Sequence, residues 1–195
     1  MARKLNPERS ERFLQAALKL FVAKGVQHTS TAEIAAEAGT AAGTLFLYFA
    51  TKQDLINALV LKIGQDQSDA IKALLDPSLS ARETFFTIWN GSLGWLLENM
   101  DAYQYIQQVR DAGVIDEAVV QESNKFFDYY YAAIQKGLAE GCLKPYPPEL
   151  IGEFLYHDIA AMMHIIKALP DEAKRAEVIR LGFDIYWDGI QKEIR

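Results

Sequence analysis

Apolar residues recur along this chain every three to four positions, in blocks set apart by short polar or glycine- and proline-bearing breaks. That period belongs to helices packed on one face. Phe13, Ala17, Leu20 and Phe21, with Leu14 and Leu18 beside them, mark a first helix from about Pro7 to Lys24. Pro7 suits a first-turn position, Gly25 ends the helix, and residues 26–29 form a connection. From Ser30 to Lys52 the blocks shorten. Ser30 and Glu33 have the spacing of a capping box. Ile34, Ala35 and Ala38 give one small apolar face, and Gly39 stands where a left-handed cap is wanted. Ala42 to Phe49 makes a second short helix, with Leu45 and Phe49 four apart on one side. Thr51 and Asp54 open a long helix that runs through Leu55, Ile56, Leu59, Val60 and Ile63 to about Leu75, where Asp76-Pro77 stops it. Two short helices joined by a tight glycine turn are the helix-turn-helix pattern, whose second helix enters the DNA major groove.

Beyond Pro77 every block again has the helical period. Helices are predicted over 80–98, opened by the capping pair Ser80/Glu83, over 101–112, closed by Gly113, and over 116–140, closed by Gly141. The segment Lys144–Glu149, with three prolines in four residues, is the clearest break. Two more helices follow, 148–168 and 171–194. No strand-like alternation, internal repeat or low-complexity segment appears. The expectation is an all-α chain of about nine helices. An N-terminal three-helix helix-turn-helix domain (residues 1–50) precedes a larger helical bundle (residues 51–195).

The last two helices are apolar around most of their circumference. One carries Ile151, Phe154, Leu155, Ile159, Met162, Met163, Ile165 and Ile166; the other carries Ile179, Phe183, Ile185, Tyr186, Trp187 and Ile190. A helix apolar nearly all round must be buried on two sides. Small residues (Ala160, Ala161, Gly182, Gly189) would let backbones approach. The pair is therefore expected to meet its copy across a two-fold axis, as a four-helix homodimer interface.

The run of Ile34-Ala35, Ala38-Gly39, Gly43-Thr44-Leu45, Tyr48-Phe49, Lys52 and Leu55, together with the first helix, resembles the DNA-binding signature of the TetR family of bacterial transcriptional regulators over roughly residues 9 to 60. The resemblance implies a double-stranded DNA operator as partner, a small-molecule effector held in the helical body, and a homodimer through the last helices. It also implies that Thr44, Tyr48 and Lys52 contact the DNA backbone while Ala41, Ala42, Phe46 and Leu47 face the groove. The sequence departs from the family at Ala41, where Ser is common, and at Ala42, where a polar or basic residue is common. Ala41, Ala42, Phe46 and Leu47 offer only apolar contact, for example to thymine methyls. Thr44 and Thr31 are the main hydrogen-bonding candidates, and Thr40 is a candidate replacement cap.

Charge sharpens the picture. The chain of 195 residues has a net charge of −6, which by itself argues against a nucleic-acid partner. Up to residue 64, however, eight basic and five acidic residues leave +3, and the remainder, with 12 basic and 21 acidic, carries −9. A basic head on an acidic body fits a protein that touches phosphate with one end. Ser30 and Thr31, where the first short helix begins, are phosphate-contact candidates, and Arg3 and Lys4 could extend the contact as an N-terminal arm. One cysteine, Cys142, excludes an internal disulfide. No signal peptide or bilayer-length apolar run is present, so a cytoplasmic location without membrane contact is expected.

The body is dense in aromatic residues. Phe86, Trp89, Tyr103, Phe127 and Tyr130 are candidate walls of an effector pocket, and Asn90, Gln107, Arg110, His157, Asp158 and His164 are candidate polar groups within it. His157, Asp158 and His164 lack metal-ligand spacing, and no glycine-rich phosphate loop or activated nucleophile is found. No metal, cofactor or enzymatic activity is expected. The reading that results is a ligand-responsive transcriptional regulator, a repressor released from its operator by a small apolar or aromatic effector. An activator or ligand-independent binder stays open, as do a small-molecule-binding module whose helix-turn-helix recognises DNA weakly and a helical-bundle enzyme.

Overall fold

Asn6 begins the first helix: its side-chain oxygen accepts from the Glu8 N–H, and Pro7 supplies the first helical residue of α1 (Pro7–Lys24). The computed structural model describes residues 5–192; Arg3, Lys4 and Ile194, the expected end of the last helix, lie outside them. The elements that follow are α2 (Thr31–Glu37), α3 (Ala42–Leu45), α4 (Lys52–Lys72), α5 (Ala81–Glu98), α6 (Met100–Asp111), α7 (Glu117–Asn124), α8 (Asp128–Ala139), α9 (Pro148–Ile166) and α10 (Glu172–Ile190). A single turn of 3-10 helix, Lys125–Phe127, joins α7 to α8. The described residues contain no strand beyond an isolated bridge between Leu143 and Gln191, so the all-α expectation holds.

The described chain divides into two compact units, one of residues up to Gln65 with Asn99–Asn124, the other of Asp66–Glu98 with residues from Lys125 onward. In the first, α1 packs on α2 and on α6. Phe21 stacks on Tyr105 at 5.7 Å between ring centres, and the Tyr105 hydroxyl donates to the Ile56 carbonyl at 2.9 Å. Burial pushes that phenol pKa well up. The loop after α6 is tied to α4, because Gln53 donates to the Val114 carbonyl and Asn57 to the Asp116 carboxylate.

In the second unit α5 packs on α8, α9 and α10. Phe85, Trp89, Tyr130, Phe183, Tyr186 and Trp187 meet there, all buried. The small residue Gly182 serves this core: a Cβ there would lie 2.5 Å from Met162 Sδ and 3.2 Å from the Trp89 ring. Its close approach is therefore made within the chain, to α9 and α5.

Two helices are much shorter than the hydrophobic period predicts, and α10 ends at Ile190, short of the expected 194, where Gln191 turns extended and bridges Leu143. The block 116–140 breaks at Lys125–Phe127 because the buried Ser68 hydroxyl donates to the Phe126 carbonyl at 2.6 Å, and the Tyr129 N–H donates to the Asp128 side chain. Each takes a backbone group that an unbroken helix would pair internally. Helix α3 keeps four residues rather than the predicted eight, and the chain tightens through i+3 bonds from the Leu47 N–H to Thr44 and from the Tyr48 N–H to Leu45. The last-turn tightening brings Phe49 back onto Phe13 just before Thr51 and Asp54 cap α4.

Candidate nucleic-acid interface

The turn between α2 and α3 is built by Gly39. Its φ of 70° lets its own N–H reach the Ala36 carbonyl while the Thr40 N–H reaches the Ala35 carbonyl. That bond pair is a Schellman motif, which closes a helix in two residues. Thr40 turns back into this closure, its hydroxyl donating to the Ala35 carbonyl. It does not cap α3, whose N-cap Ala41 has no side-chain bond; the expected substitute cap is absent. At the other end of α2 the capping box is complete. The Ser30 hydroxyl donates to Glu33 and accepts from its N–H, and the Ser30 N–H donates to the same carboxylate.

Lys24 pairs with Glu33 at 2.7 Å. This ammonium, followed by the Ser30 donors, brings the Glu33 carboxyl down to about 2. A depressed carboxyl stabilises the fold above its ordinary range near 4.5 and loses that contribution as pH falls toward 2. The expected outcome is a Glu33 side-chain titration in carbon-detected NMR with its midpoint near 2, and a Glu33→Gln variant whose melting temperature falls at pH 7 but not at pH 2.

With Leu45 and Phe49 buried inward, the α3 turn exposes Ala41, Ala42, Gly43, Phe46 and Leu47, and leaves Thr44 and Tyr48 half-buried. The Tyr48 ring lies against Phe13 at 5.5 Å. Its oxygen accepts from the Asn6 N–H at 3.2 Å, so the phenolic proton is left to donate outward. Lys52 donates to the Val26 carbonyl at 2.6 Å and lies over the Phe21 ring. Partial burial lowers its pKa, opposed by the charge of Glu33. An ammonium has three protons, so two remain for an anion. Lys52 also borders an open hollow of about 520 Å³ with Gln27, His28, Thr29, Ser30, Thr31 and Phe46. Thr29 is buried and fastens this loop by donating to the Leu20 and Gly25 carbonyls. Asn6, Gln27 and His28 were not expected here; no local pattern brings the 26–29 loop against a lysine 26 positions on.

The effector candidates fall into both units. Tyr103, Gln107 and Arg110 lie on α6 in the first; Phe86, Trp89, Asn90, Phe127, Tyr130, His157 and Asp158 lie in the second. Trp89 is fully buried and donates to the Ile179 carbonyl at 3.0 Å. Tyr130 donates to the Ile151 carbonyl and meets the Tyr186 hydroxyl at 2.9 Å. Phe86 is partly exposed against Phe183. Asn90, His157 and His164 are exposed; Phe127 and Asp158 are half-buried, and burial raises the Asp158 carboxyl. Among the described residues no cluster of three or more His, Cys, Asp or Glu is arranged to hold a metal ion.

Two family models divide the chain between them. The one for bacterial regulatory proteins of the tetR family matches residues 13–59, and the one for the tetracyclin repressor-like C-terminal domain matches residues 61–191. The chain belongs to the TetR family. It is similar to the HTH-type transcriptional regulator SrpR of Pseudomonas putida, 24% identical across 96% of this chain and 89% of that relative. A TetR-family transcription regulator from Shewanella sp. PV-4 superposes with a TM-score of 0.88 at 27% identity, covering 95% of this chain and 99% of that one. A second, from Marinobacter aquaeolei VT8, has the same fold at a TM-score of 0.82 and 21% identity, over 95% and 96% of the two chains. The protein is thus a TetR-family, DNA-binding transcriptional regulator of the helix-turn-helix type. Regulators of this family bind DNA operators and small-molecule effectors and usually form dimers. No helix among the described residues is long and apolar enough to cross a membrane.

Proposed function

We propose that this regulator is a homodimeric repressor, released from its operator by a small apolar or aromatic molecule. The observation that carries the reading is the α3 turn, held inward by Leu45 and Phe49 and bare to solvent elsewhere. Residues 1–50 supply the DNA contacts. Thr44, the Tyr48 proton, Thr31 and the remaining Lys52 protons take phosphate oxygens, which fix position. Ser30 acts through its capping of α2, since its hydroxyl is engaged by Glu33. Ala41, Ala42 and Leu47 lie toward the groove, with Phe46 at its backbone edge.

Residues 51–195 hold the effector and the dimer contact. On α9 the buried residues Ile151, Leu155, Met162 and Ile166 are each preceded by an exposed one, Leu150, Phe154, Ala161 and Ile165. The helix thus has a second apolar stripe beside the one its own chain covers. On α10, Leu181 and Ile185 are likewise exposed while Ile179, Phe183, Tyr186, Trp187 and Ile190 face inward. Monomeric proteins rarely leave such a patch in water, and a second copy of the same surface covers it in an isologous contact. A dimer on DNA must present its α3 turns about 34 Å apart, to meet successive major grooves. An effector that prefers a dimer with another spacing shifts the population off DNA. The continuous helix α4, which contributes residues to both units, is the proposed transmitter.

The test is selection of duplexes from a randomised pool by the full-length protein, with native mass spectrometry of the same preparation. The expected results are a dimer mass and enriched inverted repeats whose binding weakens steeply with salt. A monomer mass, or a pool without enrichment, overturns the reading.

A further inference from the structure

The fully exposed positions of the α3 turn lack the groups with which proteins usually read bases, and the half-buried Thr44 goes to phosphate in the preceding reading. Position 41 and position 42 end in methyl groups, position 43 has no side chain, and Leu47 has no polar atom. Leu45 anchors the turn inward; Gly43, two residues before it on α3, points nearly opposite at about 100° per residue, and Leu47, in the tightened turn that follows, is turned outward as well. Burial agrees: Leu47 is 70% exposed, more than any other large apolar residue from helix α1 to helix α4. Phe46, 47% exposed, has a different neighbourhood. Its ring lines the hollow with Ser30, Thr31 and Lys52, where the phosphate contacts of the preceding reading gather.

Gly43 adds a second observation. Its φ is not in the left-handed region, and a Cβ placed on it would meet nothing within 4 Å. Nothing in the chain calls for glycine here, and glycine weakens a helix relative to alanine. A bare backbone here leaves room for a surface from outside the chain to approach closely beside Leu47. The major groove presents one apolar group, the C5-methyl of thymine.

We propose that Leu47 is the specificity-determining side chain of this regulator, packing on a thymine methyl in each half-site, with Gly43 giving the base edge room to approach. The proposal rests on the DNA-binding reading above and assigns Phe46 to the backbone side. It makes the operator half-site one defined at its centre by a methyl group and not by a hydrogen-bond pattern.

The experiment uses the full-length protein and the tightest duplex recovered from a randomised pool, with each thymine of a half-site replaced singly by uracil, which removes only the methyl. One or two positions are expected to lose about fourfold in affinity, the worth of one buried methyl-sized group. Leu47→Ala, at an exposed position that leaves folding intact, is expected to bind the thymine duplex more weakly and to bind thymine and uracil duplexes alike at those positions. Gly43→Ala is expected to hold or raise the melting temperature while weakening binding. An enriched duplex indifferent to every uracil, or a Leu47→Ala variant that keeps full uracil sensitivity, overturns the proposal and leaves DNA binding standing. Undiminished binding by Gly43→Ala overturns the role given to glycine. A pool with no enriched duplex overturns the DNA-binding reading and this one together.

Discussion

Replacing Ile185 with aspartate is expected to leave a folded monomer whose operator affinity is lower by two orders of magnitude or more. Ile185 is 78% exposed in the isolated chain, so the substitution removes no internal contact of consequence. In the proposed two-fold dimer the same residue is buried twice, and each copy of the variant places an unpaired carboxylate against apolar neighbours. Burying such a charge costs several kcal/mol unless it finds a partner. The nearest carboxylates make matters worse: Asp184 is already held by Arg82 and Arg180, and Asp188 follows one turn later. The affinity loss follows from geometry. Two linked recognition turns engage two half-sites with the second binding event intramolecular, an advantage of roughly 10²–10⁴ that a monomer forfeits. Sedimentation equilibrium and fluorescence anisotropy on the selected duplex measure both parts, and circular dichroism checks that the fold is retained. A variant that sediments as a dimer and binds normally would move the interface away from α9 and α10.

The same helices show how far the chain could be read from its sequence. Local signals were legible. The caps at Ser30, Thr51 and Ser80 use a few neighbouring residues, and α1 begins and ends where Pro7 and Gly25 place it. Signals that depend on distant partners were not. The interruption before α8 comes from Ser68, 58 positions away. Lys52 reads as a phosphate contact, yet one of its protons is taken by the Val26 carbonyl. Helix α6 and the loop after it join the first unit through Tyr105 and Val114, and no spacing in the sequence announces contacts 49 and 61 residues apart. In α10 the wide apolar circumference is legible, but its division is not: Phe183, Tyr186 and Trp187 turn inward, and only Leu181 and Ile185 remain outside among its large apolar side chains. Likewise Phe46 and Leu47 are adjacent and both apolar, and only the position of the 26–29 loop separates their surroundings.

Trp89→Ala is expected to cost about 3–5 kcal/mol of stability, the usual range for emptying a large aromatic site in a packed core. In a chain of this length that lowers the melting temperature by roughly 10 °C. The sequence makes Trp89 a candidate effector contact; the packing gives it another task. It is completely buried, stacked on Tyr186 at 5.8 Å and edge-on to Phe183. Its indole N–H is satisfied by the Ile179 carbonyl, and Gly182 is bare where its ring passes. Every face of the side chain is therefore occupied by the protein itself, joining α5 to α10. Alanine leaves a cavity that the aromatic neighbours, each fixed by its own contacts, fill only in part. Trp89→Phe keeps most of the volume and loses the N–H, so it should cost about 1–2 kcal/mol. Differential scanning calorimetry of the two variants decides the matter. If Trp89→Ala melts within 2 °C of the wild type, the site is loosely filled, and the indole is available to a ligand after all.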